Sequence, residues 1–288
     1  PTVSSFTTTA DTGSYKQNEN IVIRANTNEP IQNGNTITVT LSDSCGDVLL
    51  TAPSAGTILE GTYTVGAGHN SDSLTVTNFA IGTVVDTAGN AMTSTTLPTS
   101  IFNGKTIEID TTAPTMTISS TDISSNETSN HSPLQLTFEA SEVTTDFLVS
   151  HITTSHGSLN SLTTTDNKIF TTLLFPQDTD HTCTIVVEAG KFTDAVGNVN
   201  TITNTFTWNY NGSEPTMTIS TSDIEEDEVS NLTSITFTFT SDETTDNFEE
   251  SNITVSNGTL GTLNGSGTTY TATFTPSADG ECSISVPA

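Results

Sequence analysis

Positive charge is what this 288-residue chain has least of: five Lys and Arg face 33 Asp and Glu, a formal net charge of −28. Such a chain excludes nucleic acid and anionic membrane surfaces as partners, because neither offers counter-charge to carboxylates, and it makes cations the natural ligands. Cysteine is scarce too. Cys45, Cys183 and Cys282 are too few and too scattered for a disulfide framework. Cys183 shares strand parity with Ile185 and Val187, and Cys282 with Ile284 and Val286, so both thiols are expected to be buried as small hydrophobes. Cys45, beside Gly46 in a turn-like stretch, is expected to be exposed and reactive. No apolar run is long enough to span a bilayer and no signal-like stretch is present, which predicts no membrane insertion and a soluble chain, either a mature product or a fragment. The five histidines (His69, His131, His151, His156, His181) show no metalloprotease spacing, and none is matched with a Gly-x-Ser-x-Gly serine elbow. His151 and His156 align with Asn252 and Asn257 one repeat later and read as surface polar positions. A glycine loop that could cradle phosphate is also missing, so no enzyme activity is expected.

Threonine is abundant, at 63 residues, and its β-branched side chain suits a pleated surface, while no long stretch carries the 3.6 period of a helix. The chain also repeats itself. "APTMTISSTDI" at 113–123 returns as "EPTMTISTSDI" at 214–224, an offset of 101 residues. A more distant copy opens at "PTVSSF", and one spacing aligns all three: Pro1 to Glu29, Pro114 to Glu142 and Pro215 to Glu243 are each 28 residues apart. Three tandem units follow, 1–111, 112–212 and 213–288. Within them Ile21, Ile23 and Ala25, then Leu134, Leu136, Phe138 and Ala140, then Ile235, Phe237 and Phe239 alternate with polar residues, as strands with one buried face do. Further strands are expected at 116–119, 150–154, 170–174, 183–187 and 203–208, with Asn33-Gly34, Asn257-Gly258 and Asn264-Gly265 as hairpin turns. About seven short strands per hundred residues predicts an all-β chain of tandem Ig-like Greek-key β-sandwich domains in a linear array.

"DTTAPTMTISS", "FTDAVGN", "LTFEASEV" and "YTATFTPSADGE" resemble the bacterial Ig-like repeats found in tandem in large extracellular surface adhesins. The resemblance covers essentially the whole chain, strongly in the second and third units and loosely in the first, whose "GTVVDTAGNAM" is still of the type. It implies stacked Greek-key sandwiches serving as spacers at the cell surface, often rigidified by calcium at the junctions.

An acidic loop, Asp-x-x-Gly-Asn, is written twice, at Asp86 to Asn90 and Asp194 to Asn198. In a seven-strand sandwich the loop after the second strand and the loop before the seventh lie at the pole where the chain enters. Asp110 of the linker, Glu142, Asp194 and Asn198 are therefore expected to converge at the seam of units 1 and 2. Calcium takes six to eight oxygen ligands, which such a set supplies together with carbonyls and waters. The same loop is also a plain tight turn in which the Asp caps backbone amides and Gly-Asn takes positive φ. Both readings stand on the residues alone. Glu29, Asp86 and Asn90 would form the equivalent set in unit 1, without a linker aspartate. In unit 3 Glu243 is present, Asn211 replaces the linker aspartate and the acidic loop is missing, so little or no calcium binding is expected there.

Seven Asn-x-Ser/Thr sequons (Asn126, Asn130, Asn211, Asn231, Asn252, Asn257, Asn264) are no more than chance supplies in a chain this rich in Ser and Thr, and leave glycans open. The third unit lacks the seventh strand, through a cut or because a strand from another copy fills the gap, which would make the chain a homopolymer subunit. The expected function is a non-catalytic structural segment of an extracellular, adhesin-like assembly, either stalk or filament, whose partners are neighbouring repeats. The runner-up is a carbohydrate- or host-binding module, which would need an aromatic platform; aromatics are only 6% of this chain.

Overall fold

Alternation in the sequence becomes strand pairing throughout. The computed structural model describes residues 1–177 and 179–287. Strands dominate; the described residues contain no α-helix, only three short 3-10 turns. Two compact units divide the chain, Pro1–Asn211 and Gly212–Ala288. The first of them holds two separate hydrophobic cores and the second holds one.

The first domain contains β1 (Val3–Thr8), β2 (Gly13–Tyr15), β3 (Asn20–Ile31), β4 (Thr36–Leu41), β5 (Asp47–Thr51), β6 (Gly56–Thr64), β7 (Val76–Thr83) and β8 (Ile107–Ile109). Its hydrogen-bonded path is continuous, β1-β3-β6-β5-β4-β7, with β2 and β8 as a separate parallel pair. Ile21, Ile23 and Ala25 of β3 are fully buried, as their parity predicts. The sheet stays continuous because β6 pairs along β3 and also touches β5, at Thr51 opposite Glu60. Glycine at position 61 permits that approach: a Cβ there would lie 2.2 Å from the Leu49 carbonyl oxygen.

The second domain contains β9 (Met116–Ser120), β10 (Thr128–Ser129), β11 (Leu134–Ala140), β12 (Ile152–Ser155), β13 (Gly157–Leu159), β14 (Thr163–Thr164), β15 (Ile169–Pro176), β16 (His181–Val187) and β17 (Asn204–Tyr210). One sheet runs β13-β15-β11-β9 and the other β10-β17-β16-β12, so the chain passes from sheet to sheet between β9 and β10, β10 and β11, β11 and β12, β12 and β13, and β15 and β16, as in a Greek-key sandwich. Leu134, Leu136, Phe138 and Ala140 on β11 are fully buried against Ile185, Val187 and Trp208 of the facing sheet. Phe147 forms the hub at one end of this core. Its ring lies 5.8 Å from Phe138, 5.2 Å from Phe170 and 5.5 Å from Phe192, in tilted or edge-on contacts that aromatic quadrupoles favour.

The second unit contains β18 (Met217–Ser220), β19 (Ile235–Thr245), β20 (Thr254–Ser256), β21 (Gly258–Leu260), β22 (Asn264–Pro276) and β23 (Ser283–Ser285). Its larger sheet runs β18-β19-β22-β21; among the described residues the other consists of β20 and β23. Phe239 is fully buried at its centre.

Several expectations are corrected. Cys45 is buried, packed in the first core, and burial pushes its thiol up from the ordinary value. Cys282 is exposed, whereas Cys183 is buried as expected. The strand expected from residue 150 starts at Ile152, because Val149–His151 close a 3-10 turn. None of the three Asn-Gly pairs makes a hairpin. Asn33-Gly34 joins β3 to β4, which do not pair; Asn257-Gly258 carries the chain from one sheet to the other; Asn264-Gly265 opens β22 itself.

Candidate metal centre

The loops that approach the seam of the first two domains are fixed from below by core residues. Phe147, five residues after Glu142, packs edge-on against Phe192, two residues before Asp194. Asp146 ties the same loops through polar contacts: its carboxylate accepts from the Thr193 N–H at 2.9 Å, the Thr193 hydroxyl at 2.8 Å and the Thr144 hydroxyl at 2.8 Å. Desolvation works against these bonds, yet they hold the Asp146 carboxyl below its ordinary value. Asn200, buried, accepts from the backbone N–H groups of Lys191 and Phe192 and donates to the Glu188 carbonyl, shaping the run into the acidic loop.

Asp194 then organises the loop. One carboxylate oxygen accepts from the backbone N–H groups of Val196, Gly197 and Asn198 at 2.9, 2.6 and 2.9 Å, and the other accepts from the Asn198 side-chain amide at 2.8 Å. Gly197 takes a φ of +95°, the left-handed region that glycine adopts without a Cβ clash. The capped turn foreseen as an alternative to an ion site is therefore present, and it leaves the buried Asp194 carboxylate held rigidly at the seam.

The linker meets that loop. Asp110 follows β8 directly; its N–H donates to the Tyr15 carbonyl at 3.0 Å and its own carbonyl accepts from the Asn198 amide at 3.0 Å. Lys16 reaches across as well, donating to the Gly197 carbonyl at 3.1 Å. Carboxylate oxygens of Asp110, Glu142 and Asp194 all lie within 4.8 Å of one another. Among the described residues this is the only such trio of His, Cys, Asp or Glu side chains. Burial first, and then the charges of Asp110 and Asp194, raise the Glu142 carboxyl above its ordinary 4.5, with Lys168 opposing. Asn198 joins the trio as a clamp, its amide shared between the linker carbonyl and Asp194.

In the first domain the loop geometry repeats without the trio. Asp86 accepts from the N–H groups of Ala88 and Asn90 at 2.9 and 2.8 Å and from the Asn90 amide at 2.7 Å. The Asn90 side chain, followed by its N–H, holds the Asp86 carboxyl below the ordinary value. Glu29 lies against the Pro1 ammonium at 2.8 Å, and that same ammonium also favours ionised Asp86.

Asp146, Asn200 and Lys16 were not singled out from the sequence. Asp146 sits one residue before a phenylalanine that recurs as Phe248, a weak pointer to a loop anchor. Lys16 carries no local signal, since its partner lies 181 residues away.

A family profile described as "Bacterial Ig-like domain" matches residues 110–210 and 211–288. No curated protein matches. Among solved structures, invasin, a bacterial integrin-binding protein, is 13% identical over 97% of this chain and 56% of its own, with a TM-score of 0.37. InvD from Yersinia pseudotuberculosis is 14% identical over 99% of this chain and 82% of its own, with a TM-score of 0.35. The chain thus spans little more than half the length of the invasin structure.

Proposed function

The chain belongs to the bacterial Ig-like domain family, and on that premise we propose that it is a non-catalytic structural segment of an extracellular, adhesin-like surface assembly, stiffened by calcium where its first two domains meet. The observation that carries the reading is the carboxylate trio. Its members come from the linker, from the loop after β11 and from the loop before β17, so one ion held there would tie three separate stretches of chain together. All the side-chain donors are oxygens, the ligand type calcium and magnesium prefer, and calcium tolerates the irregular geometry that loops supply. The Glu142 carboxyl is raised first by burial and then by the charges of Asp110 and Asp194, and a divalent cation would offset both. The cell exterior also suits the chemistry, since extracellular calcium modules work with dissociation constants of about 0.1 to 1 mM.

A sugar-stacking module would need exposed rings. Among the exposed large hydrophobics of the described residues only Phe175 is aromatic, which is less than a platform.

Titration calorimetry on the full chain tests the reading. One calcium per chain is expected for the wild type, and a loss of at least about tenfold in affinity when Asp194→Asn removes a ligand charge. Absence of binding at millimolar calcium, or binding unaffected by that change, would sink the assignment.

A further inference from the structure

We infer that His156 and His181, in the second domain, form a binding site for one divalent transition-metal ion of the zinc and copper class, held by two imidazoles. Such a site is independent of the calcium reading, because calcium takes oxygen ligands whereas imidazole nitrogen suits zinc, copper and nickel.

Neighbouring strands bring the two rings together from distant points of the chain. His156 is the single residue between β12 and β13, and His181 opens β16, which pairs with β12 from Ile152 opposite Val187 to Ser155 opposite Thr184. Both histidines are exposed. Their ring centres lie 4.5 Å apart with the planes inclined at 30°. A metal–nitrogen bond of about 2.0–2.1 Å puts the centre of a coordinated imidazole about 3 Å from the ion, so two such rings at a bond angle of about 90–110° have centres about 4.5–5 Å apart. The observed separation falls at the near end of that range. Chelation then requires only a turn of the exposed rings about their own side-chain bonds, a fast motion that leaves the backbone where it stands.

His181 is also set in the right tautomer. Its Nδ1 donates to the Thr179 carbonyl oxygen. A carbonyl oxygen only accepts, so the neutral ring carries its proton on Nδ1 and keeps a lone pair on Nε2. Metal-ligating histidines are anchored in this way, the second nitrogen bonded to a backbone carbonyl or a carboxylate.

The internal repeat shows what the pair replaces. Asn257 stands where His156 does, with φ +52° against +53°. Its carbonyl accepts from the Ser277 N–H at 3.0 Å and the Cys282 thiol at 3.5 Å, just as the His156 carbonyl accepts from the Gln177 N–H at 3.0 Å and the Cys183 thiol at 3.4 Å. The Asn257 amide then donates to the Ala278 and Glu281 carbonyls at 3.1 and 3.3 Å, tying the two turns together. Counted back from the cysteines, His181 occupies the position of Gly280. One copy of the fold thus joins these turns with an amide, and the other sets two imidazoles there, between which an ion would make the same connection.

The probe is zinc, titrated into the tag-free full chain in excess calcium, which competes for carboxylate sites but not for imidazole. Calorimetry should show one zinc per chain, and proton NMR should show the ring signals of His156 and His181 shifting while those of His69, His131 and His151 stay in place. His156→Asn, a residue the repeat already carries in the same backbone conformation, and His181→Gln should each weaken zinc binding at least about tenfold. Zinc binding that survives either substitution, that is lost in Asp194→Asn instead, that shifts the other histidines, or that is absent in excess zinc would overturn the proposal.

Discussion

Glu142 would have to carry a negative charge beside Asp110 and Asp194, and the sign of its pH response follows from that. Its raised carboxyl means that the folded state holds the proton more tightly than the unfolded chain does. Stability therefore falls as pH rises from the ordinary glutamate value of 4.5 through the raised folded value, and is regained on acidification through the same window. In metal-free protein Glu142→Gln is expected to leave the stability of residues 1–211 unchanged or to raise it by under ~1 kcal/mol, the scale of half-exposed charge pairs. With calcium present the same substitution should lower it. Urea denaturation at neutral pH, with calcium and with chelator, reads both signs. Asp146 behaves oppositely: its lowered carboxyl contributes stability that is present above the ordinary aspartate value and lost as pH falls through the folded one. Glu142 and Asp194 were legible because a fixed spacing and a repeated loop mark them. Asp146 was not, since only the fold brings it to Thr193, and the reversal at Cys45 and Cys282 arises where burial depends on neighbouring strands rather than on parity.

At the level of elements, strands with one clean apolar face were legible; β11 and β15 fall where alternation places them, whereas their pairing, Phe138 opposite Phe170, is seen only in the structure. The Asn-Gly pairs misled, because a turn signal does not say whether the next strand stays in the same sheet. At Asn257-Gly258 it does not, and the glycine is there for closeness: its Cβ would lie 2.2 Å from the Phe274 ring and 2.8 Å from the Thr275 carbonyl oxygen. Gly258→Ala should accordingly destabilise the second unit by about 1–3 kcal/mol, the usual cost of overpacking. Chemical denaturation followed by the Tyr270 environment checks it, and an unchanged midpoint would contradict the packing described for β21 against β22. The continuous sheet of the first domain was likewise illegible, since it depends on a single approach of β5 to β6 that only Gly61 hints at.

For the whole molecule, the 101-residue repeat made tandem sandwiches readable, but not that the first two would form one compact unit. Their union rests on contacts 88 and 181 residues apart in sequence, Asp110 with Asn198 and Lys16 with Gly197. Calorimetric unfolding should therefore show two transitions, one for Pro1–Asn211 and one for Gly212–Ala288. Calcium at about a hundred times its dissociation constant should stabilise the first by about 2.7 kcal/mol and leave the second in place. A single transition, or a shift of the second alone, would contradict this division.

Asp110 lies on the only covalent path from the first domain to the second, and its backbone is gripped on one side by Tyr15 and on the other by Asn198. Any traction applied to the chain must pass through that residue. Drawing the two domains apart would therefore load the Asn198 bond to the Asp110 carbonyl and the Lys16 bond to the Gly197 carbonyl along with the covalent chain.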